Sequence, residues 1–299
     1  MVKHLTLLLV LACASAQAQD TQTLTTINGA QLYVRTLGSG DPLIVVHGGP
    51  GLNHAYLLPH LESLAKNHKL VFYDQRACGR SRIPAADSLR FSFWVGDLES
   101  LRLWLGVEKM DVLAHSWGAL PAVAYAQAFP QRINKMILSN PVPLNREYDQ
   151  GMVDMQRSRF TASDSTDRAI IMGSPGFKKG KAQAYEQLML FSFRHSFADP
   201  ANLRALALGL PSDFVLASGH LLRGLGPDLQ HYDWYDEAAR FTFPLLIVHG
   251  KADIIPLAPA ERLRDQAKNA RLAVFERSGH FPFVEERKKF VQTVHTFLK

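Results

Sequence analysis

The sequence predicts an α/β protein with a mainly parallel sheet, helices on both faces and a helical insertion capping one edge. Three observations predict it. Short continuous apolar runs, such as residues 43–46, end in glycine or polar turns and read as strands buried on both faces. Helical stretches separate most of these runs, so consecutive strands lie parallel rather than in hairpins. From residue 141 to residue 240 the alternation stops: the segment is rich in Gln, Arg, Phe and Leu, carries no convincing buried strand, and reads as a helical insertion.

Taken in order, the chain opens with Lys3 and His4, a short apolar run over residues 5–12, and small residues at Ala16 and Ala18. This is the pattern of an export leader cut after Ala18, and the apolar run is too short to span a bilayer as a helix. Val10-Leu11-Ala12-Cys13 also resembles a lipoprotein box, which leaves lipidation at Cys13 as a second reading. Asn28-Gly29 lies between two β-prone runs, 23–27 and 31–36, a hairpin signal. Buried strands follow at 43–46, 70–73, 110–114, 136–138, 245–248 and 272–275. Helices are expected over 56–66, 93–105, 119–128, 259–268 and 282–298. The domain plan is therefore a leader (1–18), a first core segment (19–140), a cap (141–240) and a second core segment (241–299).

With 299 residues, 47% hydrophobic and 20% charged, the chain can bury a large core, and disorder, collagen and coiled coil are excluded. The formal charge of +6 is scattered, without the basic stripe and aromatic platforms that a nucleic-acid partner needs. Two cysteines, Cys13 and Cys78, supply neither a disulfide framework nor a cysteine zinc site. No metal and no organic cofactor are expected.

The chemistry concentrates at three places. Val112-Leu113-Ala114-His115-Ser116-Trp117-Gly118 reads as strand, sharp turn and helix start, with Ser116 at the apex. Such a turn needs small residues two before and two after the serine, because strand and helix backbones pass close together, and Ala114 and Gly118 meet that need. The N–H of Trp117, at the helix start, has no intrahelical partner and can hold an oxyanion. His47-Gly48-Gly49-Pro50-Gly51 follows the strand at 43–46, and its glycines let the N–H of Gly49 serve as a second oxyanion donor. A serine nucleophile needs a base, and the base needs an orienting carboxylate. Asp253 and His280 each lie in a loop after a strand, in the order acid then histidine that follows an elbow serine. His47, His115 and His249 take structural roles, and Asp74, Arg76 and Arg80 form an internal polar network.

Together these residues resemble the α/β-hydrolase fold, and more narrowly the proline iminopeptidase-like serine peptidases. His47 to Gly51 is similar to that group's glycine loop. Asp74-Gln75-Arg76-Ala77-Cys78-Gly79-Arg80-Ser81 is similar to its Asp-Gln-Arg-Gly-x-Gly-x-Ser segment, with Ala77 in place of a glycine. His115-Ser116-Trp117-Gly118 resembles its nucleophile turn. The resemblance implies an exported aminopeptidase that releases N-terminal residues from short peptides through Ser116, His280 and Asp253. It also implies cap acids that hold the substrate amine, with Glu186 and Asp228 as candidates. Leu229 stands where that family often has an acid. Phe191, Phe193, Tyr232, Trp234 and Tyr235 are candidates to line the pocket. An esterase or amidase on small acyl substrates shares the machinery without an amine anchor. A catalytically idle fold serving as a binding protein is the third reading, and the intact trio argues against it.

Overall fold

The computed structural model describes residues 20–299; the leader expected over 1–18, with Cys13, lies outside them. The first core segment runs β1 (Thr21–Ile27), β2 (Ala30–Leu37), β3 (Pro42–Val46), α1 (Leu58–Leu61), β4 (Lys69–Tyr73), α2 (Phe91–Trp104), β5 (Met110–His115), α3 (Ala119–Ala128) and β6 (Ile133–Ser139). Next come α4 (Asp149–Arg159), α5 (Ala162–Gly173), α6 (Pro175–Lys178), α7 (Ala182–Phe193), α8 (Phe214–Leu225) and α9 (Tyr235–Ala238). The chain then returns to the sheet with β7 (Leu245–Gly250), α10 (Ala258–Gln266), β8 (Ala270–Phe275), α11 (Pro282–Glu285) and α12 (Arg287–Leu298).

The eight strands form one sheet in the order β1-β2-β4-β3-β5-β6-β7-β8. The first two pair antiparallel through a turn in which Asn28 (φ 46°) and Gly29 (φ 73°) are both left-handed, the geometry that Asn-Gly favours in a two-residue hairpin. From β4 across to β8 every pairing is parallel. All five residues of β3 are buried, and they alternate between two cores. Ile44 and Val46 join Trp94, Leu101 and Val123 under α2 and α3, whereas Leu43 and Val45 join Phe290, Val294 and Leu298 of α12. Each such side chain contributes roughly 1.5–3 kcal/mol by leaving water, so the two-sided burial is what fixes the central strands.

Register places the site. His115 pairs with Ser139, Ser139 with Val248, and Gly250 with Phe275. The C-terminal ends of β5, β6, β7 and β8 therefore form one edge, and Ser116, Asn140, Asp253 and His280 all follow it in the loops beyond.

Two expected helices are broken. Residues 56–66 split into a 3₁₀ turn, α1 and a second 3₁₀ turn, because Asn53 starts the first turn with its side chain accepting Ala55 N–H and Pro59 sits in the first turn of α1. Residues 282–298 break at Glu286 (φ −120°, ψ 46°), whose carboxylate is drawn back to the loop before His280.

Between β6 and β7 the cap is lightly packed at its start. In α4 no residue is buried, and α5, closed by a Thr161–Asp164 capping box, buries only Asp164. By contrast α8 buries Phe214, Ala217, Leu221 and Leu225, a single stripe at helical spacing. That stripe reaches the glycine loop, where Gly51 lies against Ser218, Phe214 and Leu221.

Candidate active site

Ser116 has φ 56°, the left-handed region that costs a non-glycine residue about 1–3 kcal/mol. The turn is locked from below: a Cβ at Gly118 would lie 2.6 Å from the carbonyl oxygens of both Val46 and His47. Only a glycine lets α3 leave the sheet there. Pro130 ends α3 by forcing Phe129 out of the helical region (ψ 53°).

His280 Nε2 lies 2.9 Å from Ser116 Oγ, and its Nδ1 lies 3.0 and 2.9 Å from the two oxygens of Asp253. With Nδ1–H donated to the carboxylate, Nε2 is the acceptor for the serine hydroxyl. Asp253 is fully buried. Burial alone pushes its carboxyl upward, but the charge and hydrogen bond of His280, with His249 and Asn140, hold it below the usual aspartate range. Asn140 Nδ2 donates to Asp253 Oδ2 at 2.6 Å and to Gly279 O at 3.1 Å, and Ile255 N–H donates to Asp253 Oδ1 at 3.1 Å. Sequence reasoning missed Asn140. Its signal is positional: it directly follows β6, at the edge where the other three residues gather.

His115, expected in a structural role, is part of a buried polar chain. Gly48 N–H donates to Tyr56 Oη at 2.7 Å, Tyr56 Oη lies 2.7 Å from His115 Nδ1, and His115 Nε2 lies 2.9 Å from the carbonyl oxygen of His280. Donors and acceptors match when Tyr56 donates to Nδ1 and Nε2–H donates to the carbonyl. Burial lowers His115 to about 3, with His280 adding to the effect, so the ring is neutral and the tautomer fixed. The glycine loop and the backbone of His280 are thereby joined. His47 is likewise buried and lowered to about 4; it pins the loop through Gly48 O and the N–H of Gln75. Among the described residues the N–H groups of Gly49 and Trp117 are given to no protein acceptor.

The single internal network expected of Asp74, Arg76 and Arg80 is instead two separate buried sets, and Arg80 gives only its backbone N–H while its guanidinium turns outward to Gln22 and Tyr33. Asp74 accepts from His54 N–H, His54 Nδ1 and Arg80 N–H, while Arg76 pairs bidentately with Asp97. Cys78 is buried and its thiol pushed up, which keeps it unreactive.

The two cap acids are placed differently from expectation. Glu186 accepts the backbone N–H groups of Leu208 and Gly209 at 3.0 Å and of Leu210 at 3.3 Å. Asp228 accepts the N–H of Phe91 at 2.7 Å, at the start of α2. Glu186 holds the loop at residues 208–210, and Asp228 holds the start of α2, where N–H groups lack intrahelical partners. Of the aromatics, Trp234 meets Phe91 edge-on at 5.3 Å, and Phe91 stacks on Trp117 at 6.1 Å. Phe193 packs on Phe281, beside the histidine, at 5.4 Å, and Tyr232 packs on Trp234. Phe191 and Tyr235 lie in other clusters, against Phe160 and Tyr148.

A strained serine at the end of a central parallel strand, with an imidazole on its hydroxyl, defines the class as a hydrolase. The model of the alpha/beta hydrolase fold family matches residues 41–287, and the chain belongs to that family. It is similar to the proline iminopeptidase of Clostridium botulinum, at 28% identity over 273 residues, 87% of this chain and 90% of that protein. Among solved structures, a proline iminopeptidase from Mycobacterium smegmatis superposes with a TM-score of 0.68 at 21% identity, covering 93% of this chain and 97% of that one. An esterase from Exiguobacterium antarcticum gives 0.65 at 22%, covering 93% and 99%. At such identities the two structures speak for the fold.

Proposed function

We propose that this hydrolase works by two-step acyl transfer on Ser116. His280, oriented by Asp253, takes the hydroxyl proton as Oγ attacks a carbonyl carbon. The N–H groups of Gly49 and Trp117 hold the oxyanion, His280 returns the proton to the leaving group, and water then cleaves the acyl-enzyme. The observation that carries this reading is the unbroken line from Ser116 Oγ through the imidazole to the buried carboxylate, each step 2.9–3.0 Å. Ser116→Ala should remain folded, lose fluorophosphonate labelling, and lose about 10³-fold or more in kcat/KM. Near-full turnover in that variant would falsify the assignment.

For the substrate, similarity to proline iminopeptidases along most of the chain supports release of N-terminal residues from short peptides. One observation favours the second reading, an esterase or amidase on small acyl compounds. Glu186 and Asp228 already serve backbone N–H groups, which weakens them as anchors for an ammonium. The two readings separate on proline nitroanilide, its N-blocked form and short nitrophenyl esters. A requirement for the free amine supports the peptidase; indifference to blocking, with faster ester turnover, supports the esterase. Export belongs to the same proposal and rests on residues 1–18 alone. Fractionation with N-terminal sequencing tests it: a mature start at Gln19 supports cleavage after Ala18, an acylated Cys13 supports lipidation, and an intact cytoplasmic chain overturns both.

A further inference from the structure

The loop that carries His280 is built against the cap as well as the sheet. Its own N–H donates to the carbonyl of Ser196 at 2.6 Å. The preceding residue, Gly279, approaches the same segment so closely that a Cβ there would lie 2.1 Å from Ser196 O and 3.1 Å from Ala198 N. Phe197 stacks on Phe281 at 4.7 Å. Between loop and segment stands one carboxylate. Glu285 Oε2 accepts the N–H of Gly279 at 2.6 Å, while Oε1 accepts those of Ala198 and Asp199 at 2.9 and 3.0 Å. The segment has a second tie, to the acid loop: Arg159 of α4 donates to the carbonyls of His195, Ala252 and Asp253 at 2.6–2.9 Å.

We infer that Glu285 is a positioning residue, whose carboxylate locks cap residues 196–199 and the His280 loop into one unit, so that the imidazole is aimed at Ser116 only while that segment is seated. This rests on the acyl-transfer reading of Ser116, His280 and Asp253. Three N–H donors converge on the two oxygens. An amide in the same place must turn an NH₂ toward at least one of them, exchanging an attraction for a repulsion at a half-buried site. Glu286, at the junction of α11 and α12, supports the other flank by accepting Arg277 N–H and Ser278 Oγ–H, so the loop stays attached there when the Glu285 tie is lost. The effect then falls on aim rather than on folding.

The test is Glu285→Gln, with melting, steady-state kinetics on a nitrophenyl ester and the rate of fluorophosphonate labelling of Ser116. The expected result is a cooperative melt near the parent's, KM within about twofold, and kcat and labelling rate lowered together by about 10²-fold, the scale of an ångström of misplacement. A folded variant with unchanged kcat, or one altered in KM alone, overturns the inference. Amide hydrogen exchange on the unaltered protein is a check that needs no variant. The N–H groups of Ala198, Asp199, Gly279 and His280 should open as one unit with like protection, and exchange of Ala198 and Asp199 far ahead of the other two overturns it. Failure of the underlying reading is distinct, because Ser116→Ala would then keep its turnover whatever Glu285 does.

Discussion

At the sheet edge, Asp253, His280, His115 and Asn140 are buried, and their hydrogen bonds to one another and to backbone fix ring orientation, tautomer and carboxylate alike. At the start of the cap, α4 buries nothing, α5 buries one aspartate, and Val153, Ile170 and Met172 are exposed. The contrast teaches where sequence change is costly. At the edge these four side chains hold one another and the backbone, so one exchange disturbs several contacts. In the early cap, apart from Arg159 and Asp164, a side chain touches little, so an exchange there stays local.

Asn140→Asp breaks the comparison most sharply on the edge side. It replaces the donor to Asp253 with a second carboxylate, and losing a hydrogen bond to a buried charge costs about 2–3 kcal/mol, or roughly 10²-fold in kcat/KM. Steady-state kinetics on a folded variant checks this, and an unchanged rate would mean that the edge is less tightly determined than its geometry says.

A smaller effect comes from acid. His115 and His47 are neutral in the fold, lowered from the ordinary 6.5 to about 3 and about 4. In the unfolded chain each takes up a proton near its ordinary value. Below that pH the unfolded state therefore binds more protons, and stability falls as the pH drops toward 4. His115→Gln removes one of the two groups. The slope of unfolding free energy against pH should flatten by about 1 kcal/mol per pH unit over that window, measured by urea unfolding at several pH values.

The smallest effect belongs to the cap. Ile170 is 68% exposed, and Ile170→Ser should change unfolding free energy by less than about 0.5 kcal/mol. A larger loss would show that this face has a packing role, and would sharpen the contrast by moving its boundary outward.

Much of the edge was legible beforehand. The parallel strands announce themselves as apolar runs, and the loops that follow them carry the serine, the acid and the histidine in an interpretable order. Asn140 was not legible, because a lone asparagine after a strand has no pattern until register brings Ser139 beside Val248. The cap acids were legible as charges but not as partners. The groups they hold, the N–H donors of residues 208–210 and of Phe91, belong to main chain that any sequence supplies. The breaks at Leu57 and Glu286 escaped because local periodicity continues through both, while Asn53 and Pro59 decide the first and the pull of Glu286 toward Arg277 and Ser278 decides the second.

A last consequence lies where β7 ends. Gly250 and Gly279 meet main chain to main chain, so closely that a Cβ on Gly250 would sit 1.9 Å from the carbonyl oxygen of Gly279. No side chain stands in that gap, so the closeness of the loops that carry Asp253 and His280 is set there by main chain. That spacing is inherited whole from the crossing of two polypeptide backbones. Gradual tuning of the site is left to the side chains around that crossing, Asn140 and Glu285 among them.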